Sequence, residues 1–264
     1  MMQKNVRYAC MALIVALSAF PAAAPGVSQT RQLHIPVDAA CQAAAALPQH
    51  VAALPQFGQA LLRRKNVRIL AIGSSSTEGV GATSRAANYP SQLQSLLQAA
   101  LPDEQIEVIN LGIGGEVAQK TAERIEKETI RLSPDLVLWQ VGTNDALTNT
   151  PIADYEATVQ GALRFLKGRN FDLLLVGMQW TRKLAANPAY AAVRDATARL
   201  AEAENVTLVS RYDSMRKLAD ASGREDMIGP DHLHMNDLGY RCLAQQVAIG
   251  LSRAVSGEAS AKQL

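Results

Sequence analysis

The stretch that decides the fold reads Val67-Arg68-Ile69-Leu70-Ala71-Ile72-Gly73-Ser74-Ser75-Ser76-Thr77-Glu78-Gly79. Its first six residues are apolar except for Arg68, and a glycine closes them. A short continuous run of this kind suits a strand covered on both faces. Four further runs resemble it: Ile106–Leu111, Leu136–Val141, Leu173–Val176 and Val206–Val209. Longer stretches of helical spacing lie between them, at about 88–101, 116–132, 152–168 and 188–204. In the second of these, Ala118, Ala122, Ile125, Thr129 and Leu132 share one face, while Lys120, Glu123, Arg124, Glu126 and Lys127 fall on others. Pro151 and Pro188 suit first helical turns, and Asn236 or Asp237 suits the cap of a last helix reaching about Val255. Repeated strand–helix alternation predicts an α/β fold. We expect a three-layer α/β/α domain on a five-stranded, mostly parallel, flavodoxin-like sheet.

Ligands of such sheets bind beyond the carboxyl ends of the strands. There the sequence places Gly73–Gly79, Asn110-Leu111-Gly112-Ile113-Gly114-Gly115, Gly142-Thr143-Asn144-Asp145 and, just before the last helix, Asp231-His232-Leu233-His234. These four blocks, in this order over nearly all of 67–255, resemble the SGNH (GDSL-like) hydrolase family. The resemblance implies an ester hydrolase with Ser75 as nucleophile and Asp231 and His234 as acid and base. It also implies an oxyanion hole built from the backbone of Ser75, the backbone of Gly115 and the side chain of Asn144. Gly239-Tyr240 also looks like the family. One departure stands out: Ser74 occupies the place of the usual aspartate of Gly-Asp-Ser. That aspartate is not a reacting group, so the chemistry is expected to survive its loss.

The residue types suit the roles. A serine hydroxyl is a weak nucleophile until a base takes its proton, and histidine exchanges protons near neutrality. Asp231, three residues before His234, is placed to hold the imidazole by its other nitrogen and to stabilise the imidazolium. Attack on an ester creates an oxyanion, which preorganised N–H groups stabilise. Glycine at 115 lets backbone approach substrate closely.

Other chemistries compete for the same residues. Asp231, His232 and His234 could ligate a metal, but no further His or Cys cluster completes such a site, and none is expected. The hydroxyl-rich first loop would suit a flavodoxin-like phosphate or flavin binder, a reading that leaves Asn144, Asp231 and His234 idle. Glu78 and Asp145 could be taken for a glycosidase pair, although Asp145 in a turn suits capping better. A glycan-binding pseudoenzyme is disfavoured because every reacting group is present. Trp139, Trp180 and Tyr240 are candidate pocket walls; Trp139 suits the core better, and Trp180, after the fourth strand, is the candidate for contact with substrate.

Composition sets the outer bounds. Of 264 residues, 48% are hydrophobic and 19% charged, which supports a sizeable core. The formal charge of +2 argues against a dedicated nucleic-acid binder. Residues 1–26 read as a secretory signal: Lys4 and Arg7, an apolar run from Ala9 to Phe20, then Ala22-Ala23-Ala24-Pro25-Gly26. That run is too short for the roughly 20 residues of a membrane-spanning helix. Residues 27–65, where Ala46-Leu47-Pro48-Gln49 recurs as Ala53-Leu54-Pro55-Gln56, read as an extension of short helical turns packed outside the domain at 66–256. Residues 257–264 read as a disordered tail.

Signal removal leaves two of the three cysteines, Cys41 and Cys242, in an oxidising compartment. They are expected either to form a disulfide or to stay as separately buried thiols. The whole predicts a periplasmic or secreted esterase without cofactor. Its expected substrate is a short acyl group such as acetyl on a small molecule, a carbohydrate or a cell-wall polymer, with lipid or thioester substrates as the alternative. No nucleic acid and no stable membrane insertion are expected, and oligomeric state is not legible.

Overall fold

The computed structural model describes residues 33–45, 50–63, 66–223 and 225–256. The expected signal segment and tail lie outside the described residues. In chain order the helices and strands are α1 (Gln42–Ala45), α2 (Pro55–Arg63), β1 (Asn66–Gly73), α3 (Ser75–Glu78), α4 (Tyr89–Ala100), β2 (Gln105–Gly112) and α5 (Ala118–Leu132). They continue with β3 (Leu136–Gln140), α6 (Thr143–Leu147), α7 (Ile152–Gly168), β4 (Leu173–Val176), α8 (Arg182–Ala185), α9 (Pro188–Ala203), β5 (Thr207–Val209), α10 (Arg211–Ser222) and α11 (Asp237–Ser256).

The five strands form one sheet in the order β2-β1-β3-β4-β5, and every pairing is parallel. Leaving β1 in one direction toward β2 and in the other toward β3 reverses the winding. With right-handed crossovers, that reversal puts helices on both faces. Accordingly α4 packs against α11, while α5, α7 and α9 pack in a row. All five residues of β3 are buried, as expected of a central strand covered on both sides. The reversal at β1 also opens a crevice beyond its carboxyl end, and the Ser75 loop sits there.

Helix starts follow local chemistry. The Asn88 side chain accepts the Ser91 N–H at 2.9 Å to cap α4, and Asn187 accepts the Ala189 N–H at 2.9 Å to cap α9. Asn236 accepts the Gly239 N–H at 3.1 Å at the start of α11. The buried Asp145 carboxylate does the same for α5 from a distant loop, receiving the Ala118 N–H on both oxygens at 3.0 and 3.1 Å.

The N-terminal extension is more deeply integrated than a packing of turns on the outside. Val51, Leu54, Phe57, Ala60 and Leu61 are buried in the same apolar cluster as the strands. His50 bridges Leu208 in antiparallel sense, and the Thr207 hydroxyl accepts the Ala52 N–H at 2.9 Å. The segment therefore covers the edge strand β5, which would otherwise present unpaired backbone. Asp172 accepts the Phe57 N–H at 2.8 Å at the start of α2. A disulfide joins Cys41 to Cys242 of α11.

Candidate active site

β1 ends in Gly73 and the chain turns directly into the single-turn helix α3, whose first residue is Ser75. As the first helical residue, Ser75 has no intrahelical acceptor for its N–H. The turn is anchored from below. Gln140, buried at the end of β3, uses one side-chain oxygen to accept the Ser74 N–H at 2.9 Å, the Ser74 hydroxyl at 3.0 Å and the Thr77 hydroxyl at 3.4 Å. Beside it, Gly112 ends β2 so close to α3 that an added Cβ would lie 2.0 Å from the Glu78 nitrogen. Only glycine permits that approach.

Asp231 and His234 come from a loop that is braced by its own backbone hydrogen bonds. Gly229 donates to the His234 carbonyl at 2.8 Å, His232 donates to the Gly229 carbonyl at 3.1 Å, and Ile228 bridges Met235. Exposed His232 adopts φ +56 within the turn. One Asp231 oxygen accepts the N–H groups of Leu233 and His234 at 3.0 and 2.9 Å, and the other lies 2.5 Å from His234 Nδ1. His234 Nε2 lies 3.0 Å from Ser75 Oγ, joining residues 159 positions apart. Burial works against ionisation of Asp231. The Leu233 N–H, the His234 ring and the His234 N–H outweigh it and hold the carboxyl down at about 2.

The two remaining blocks lie beside this relay. Gly115 has φ +80, a conformation that favours glycine, and a Cβ there would meet nothing within 4 Å. The requirement for glycine is therefore conformational, with open space in front of the backbone. Its N–H makes no hydrogen bond among the described residues. The loop abuts Ser75: a Cβ at Gly114 would lie 3.9 Å from Ser75 Cβ, and the Gly114 N–H donates to Glu78 at 2.8 Å. Asn144, in α6, donates its side-chain amide to the Glu116 carbonyl at 2.8 Å, which fixes it against that loop. Glu78 and Asp145 are thus each engaged by backbone N–H groups. Burial pushes the Asp145 carboxyl up, against the bond from Ala118.

The candidate pocket walls are placed otherwise. Trp139 is buried and donates its indole N–H to the Thr121 hydroxyl at 3.0 Å. Tyr240 is buried and donates to the Val80 carbonyl at 2.6 Å, tying α11 to the chain beyond α3. Trp180, 7% exposed, lines an apolar cavity of about 190 Å³ with Met215, Met227 and Ile228; Ser75, His234 and Asn144 do not line it. No group of three or more His, Cys, Asp or Glu arranged to hold a metal occurs among the described residues. The support that Gln140 gives the Ser75 turn is not legible in the sequence, because a glutamine carries no motif of its own.

Comparison with known proteins agrees with this architecture. In solved structures the chain is similar to a two-domain esterase active on acetylated mannans, at 23% identity and a TM-score of 0.65, over 80% of this chain and 56% of that one. It therefore spans little more than half that esterase's length. It is also similar to the acetyl xylan esterase AlAXEase, at 22% identity and a TM-score of 0.59, over 69% of this chain and 98% of that one. A psychrotrophic esterase, EstA from a Pseudoalteromonas species, aligns at 20% identity and a TM-score of 0.57, over 70% of this chain and 97% of that one. These likenesses are of fold. No curated protein matches the sequence. The profile of the Non-GDSL lipase-like family matches residues 40–257, most of the chain and all of the blocks described above, and the chain accordingly belongs to that family, among the SGNH (GDSL-like) hydrolases.

Proposed function

We propose that the protein hydrolyses acyl esters through an acyl-Ser75 intermediate. The observation that carries this reading is the continuous relay from Ser75 Oγ to His234 Nε2, at 3.0 Å, and from His234 Nδ1 to Asp231, at 2.5 Å. With Nδ1–H donated to Asp231, Nε2 is the free base. It takes the Ser75 proton as Oγ bonds to the ester carbonyl carbon, and returns that proton to the leaving alkoxide as the tetrahedral adduct collapses. Water then attacks the acyl-serine with the same proton transfers in the same order. Asp231, ionised at any working pH, stabilises the imidazolium without taking the proton. The N–H groups of Ser75 and Gly115 and the Asn144 amide are the donors for the oxyanion.

The substrate reading is a short acyl group, acetyl first, carried by a carbohydrate or cell-wall polymer outside the cytoplasm. It is supported by the signal-like N-terminus, by the Cys41–Cys242 bond and by the fold shared with esterases of acetylated mannan and acetylated xylan. One observation favours a second reading, a longer aliphatic acyl chain. Val80, Ile113 and Leu147 are 38%, 47% and 41% exposed, on the three segments that also carry Ser75, Gly115 and Asn144. Among the described residues no Phe, Tyr or Trp side chain is exposed to offer a sugar ring a stacking face.

The experiment is hydrolysis of nitrophenyl esters from acetate to decanoate, alongside acetate release from acetylated mannan and xylan, with labelling by a fluorophosphonate probe. Ser75→Ala is expected to abolish both turnover and labelling; a Ser75→Ala protein that retained both would overturn the proposal. A rate maximum at acetate supports the first substrate reading, and a maximum at longer chains the second.

A further inference from the structure

Beneath the site lies a polar centre that the reaction itself does not use. Arg211, the first residue of α10, is 1% exposed and has no carboxylate within ion-pairing distance among the described residues. Its Nε donates to the Gly177 carbonyl at 2.6 Å, its Nη2 to the Gln179 side-chain oxygen at 2.8 Å, and its Nη1 faces the Met235 sulfur at 3.9 Å. Burial pulls the guanidinium down from its usual range, and the neighbouring Tyr190, Tyr240 and Tyr89 oppose that pull. A guanidinium stays charged in a protein, and a buried charge without a counterion is costly.

Gln179 connects this cation to the catalytic elements. Its side-chain oxygen also accepts the Thr143 hydroxyl at 2.7 Å, from the residue next to Asn144. Its side-chain nitrogen donates to the Leu233 carbonyl at 3.3 Å, from the residue next to His234. Its backbone carbonyl accepts the Tyr190 hydroxyl at 2.6 Å. One buried amide thus touches the helix that bears the oxyanion donor and the loop that bears the base. A cation on the amide oxygen polarises the group and strengthens the N–H bond given to Leu233.

We infer that Gln179, polarised by Arg211, is a positioning residue that sets the acid–base loop relative to the Asn144 helix. The inference rests on the proposed acyl-Ser75 chemistry. Gln179 touches no reacting atom. Its effect is to hold His234 and Asn144 in one geometry, so it belongs to turnover and not to ground-state binding.

The discriminating variant is Gln179→Glu. The carboxylate keeps the acceptor for Thr143 and supplies Arg211 with a counterion, but it cannot donate to the Leu233 carbonyl. A purely structural role predicts unchanged kinetics with equal or higher thermal stability. Positioning predicts an unchanged or raised melting temperature together with kcat on nitrophenyl acetate lowered by about 10- to 100-fold, and KM within about threefold of wild type. Gln179→Asn keeps both amide functions on a side chain one methylene shorter and carries the same kinetic expectation should Gln179→Glu not fold. Wild-type kcat in either folded variant would overturn the inference. Ser75→Ala, run in parallel, separates the two levels: activity surviving in Ser75→Ala removes the acyl-serine reading itself. An inactive Ser75→Ala beside a fully active Gln179→Glu removes only the role of Gln179.

Discussion

Cutting the Cys41–Cys242 bond should weaken the fold far more than it weakens the site. The two half-cystines are 201 positions apart, so the bond closes almost the whole described chain into one loop. In the chain-entropy treatment, a loop of that length removes roughly 18 cal/mol/K from the denatured ensemble, about 5 kcal/mol at 25 °C. Reduction returns that freedom to the unfolded state and leaves the native contacts of Cys41 and Cys242 in place. For a chain of this size, about 5 kcal/mol corresponds to a fall in melting temperature of roughly 10–20 °C. The Ser75–His234–Asp231 bonds involve no residue of the extension. Turnover at 25 °C should therefore be nearly unchanged as long as the protein stays folded. Both sulfurs are buried, so the test is reduction in denaturant, refolding under reductant, and a denaturant titration beside the oxidised protein. Cys41→Ala/Cys242→Ala serves as the control without reductant. Coincident unfolding curves for oxidised and fully thiol-titrated protein would refute the reasoning, and so would loss of turnover in a reduced protein that remains folded.

Three further outcomes follow from the geometry. Asn144→Ala should lower kcat by about 10²- to 10³-fold with little change in KM, read from steady-state kinetics on nitrophenyl acetate, because the amide acts on charge present only after attack. Asp231→Asn should keep the loop but lose the orientation of the imidazole, lowering kcat by about 10³- to 10⁴-fold; with the carboxyl at about 2, no limb of the wild-type pH profile above about pH 3 should arise from Asp231 itself. Asp172 should make the fold less stable as pH rises. Burial pushes its carboxyl from 3.8 up to about 6, against N–H bonds from Phe57 and Gln56, so between those values the native state binds the extra proton. Stability is then lost on going from pH 4 to pH 7 by about 3 kcal/mol at most, and Asp172→Asn should flatten that part of the pH dependence in denaturant titrations.

The strands were legible because each is a short aliphatic run closed by a glycine or a polar residue, and their observed limits differ from the expected ones by a residue at most ends. The helix α10 was not legible. Its buried Tyr212, Met215 and Ala219 keep helical spacing, but they are few among Asp213, Arg216, Lys217 and Asp220, and its first residue is an arginine that the fold buries. The depth of the extension was hidden for a related reason. Prolines interrupt its periodicity, and what anchors it, the Asp172 bond to Phe57, spans 115 positions. The reacting groups could be read because each sits in a local block. Their polar supports could not: Gln179 has partners 32 and 54 positions away, and only the assembled sheet edge brings them together.

The serine at 74 shows how a motif can change without moving the nucleophile. Ser74 is buried, and both its N–H and its hydroxyl point to the same Gln140 oxygen. An aspartate in that place would set a carboxylate against this oxygen, acceptor against acceptor, unless the Gln140 amide turned to present its NH2 group and gave up the Ser74 N–H. A serine donates where an aspartate would accept, so Ser74 and Gln140 form a matched neutral pair 66 positions apart. The Thr77 hydroxyl also donates to Gln140, so the first turn of α3 is held at both ends by one side chain of the neighbouring strand. What the turn must deliver is the position of Ser75 two residues beyond the strand end, and hydrogen bonds to a fixed glutamine meet that demand without a buried charge. The block can therefore lose its aspartate and keep its geometry, provided β3 ends in a residue that accepts where the serine donates.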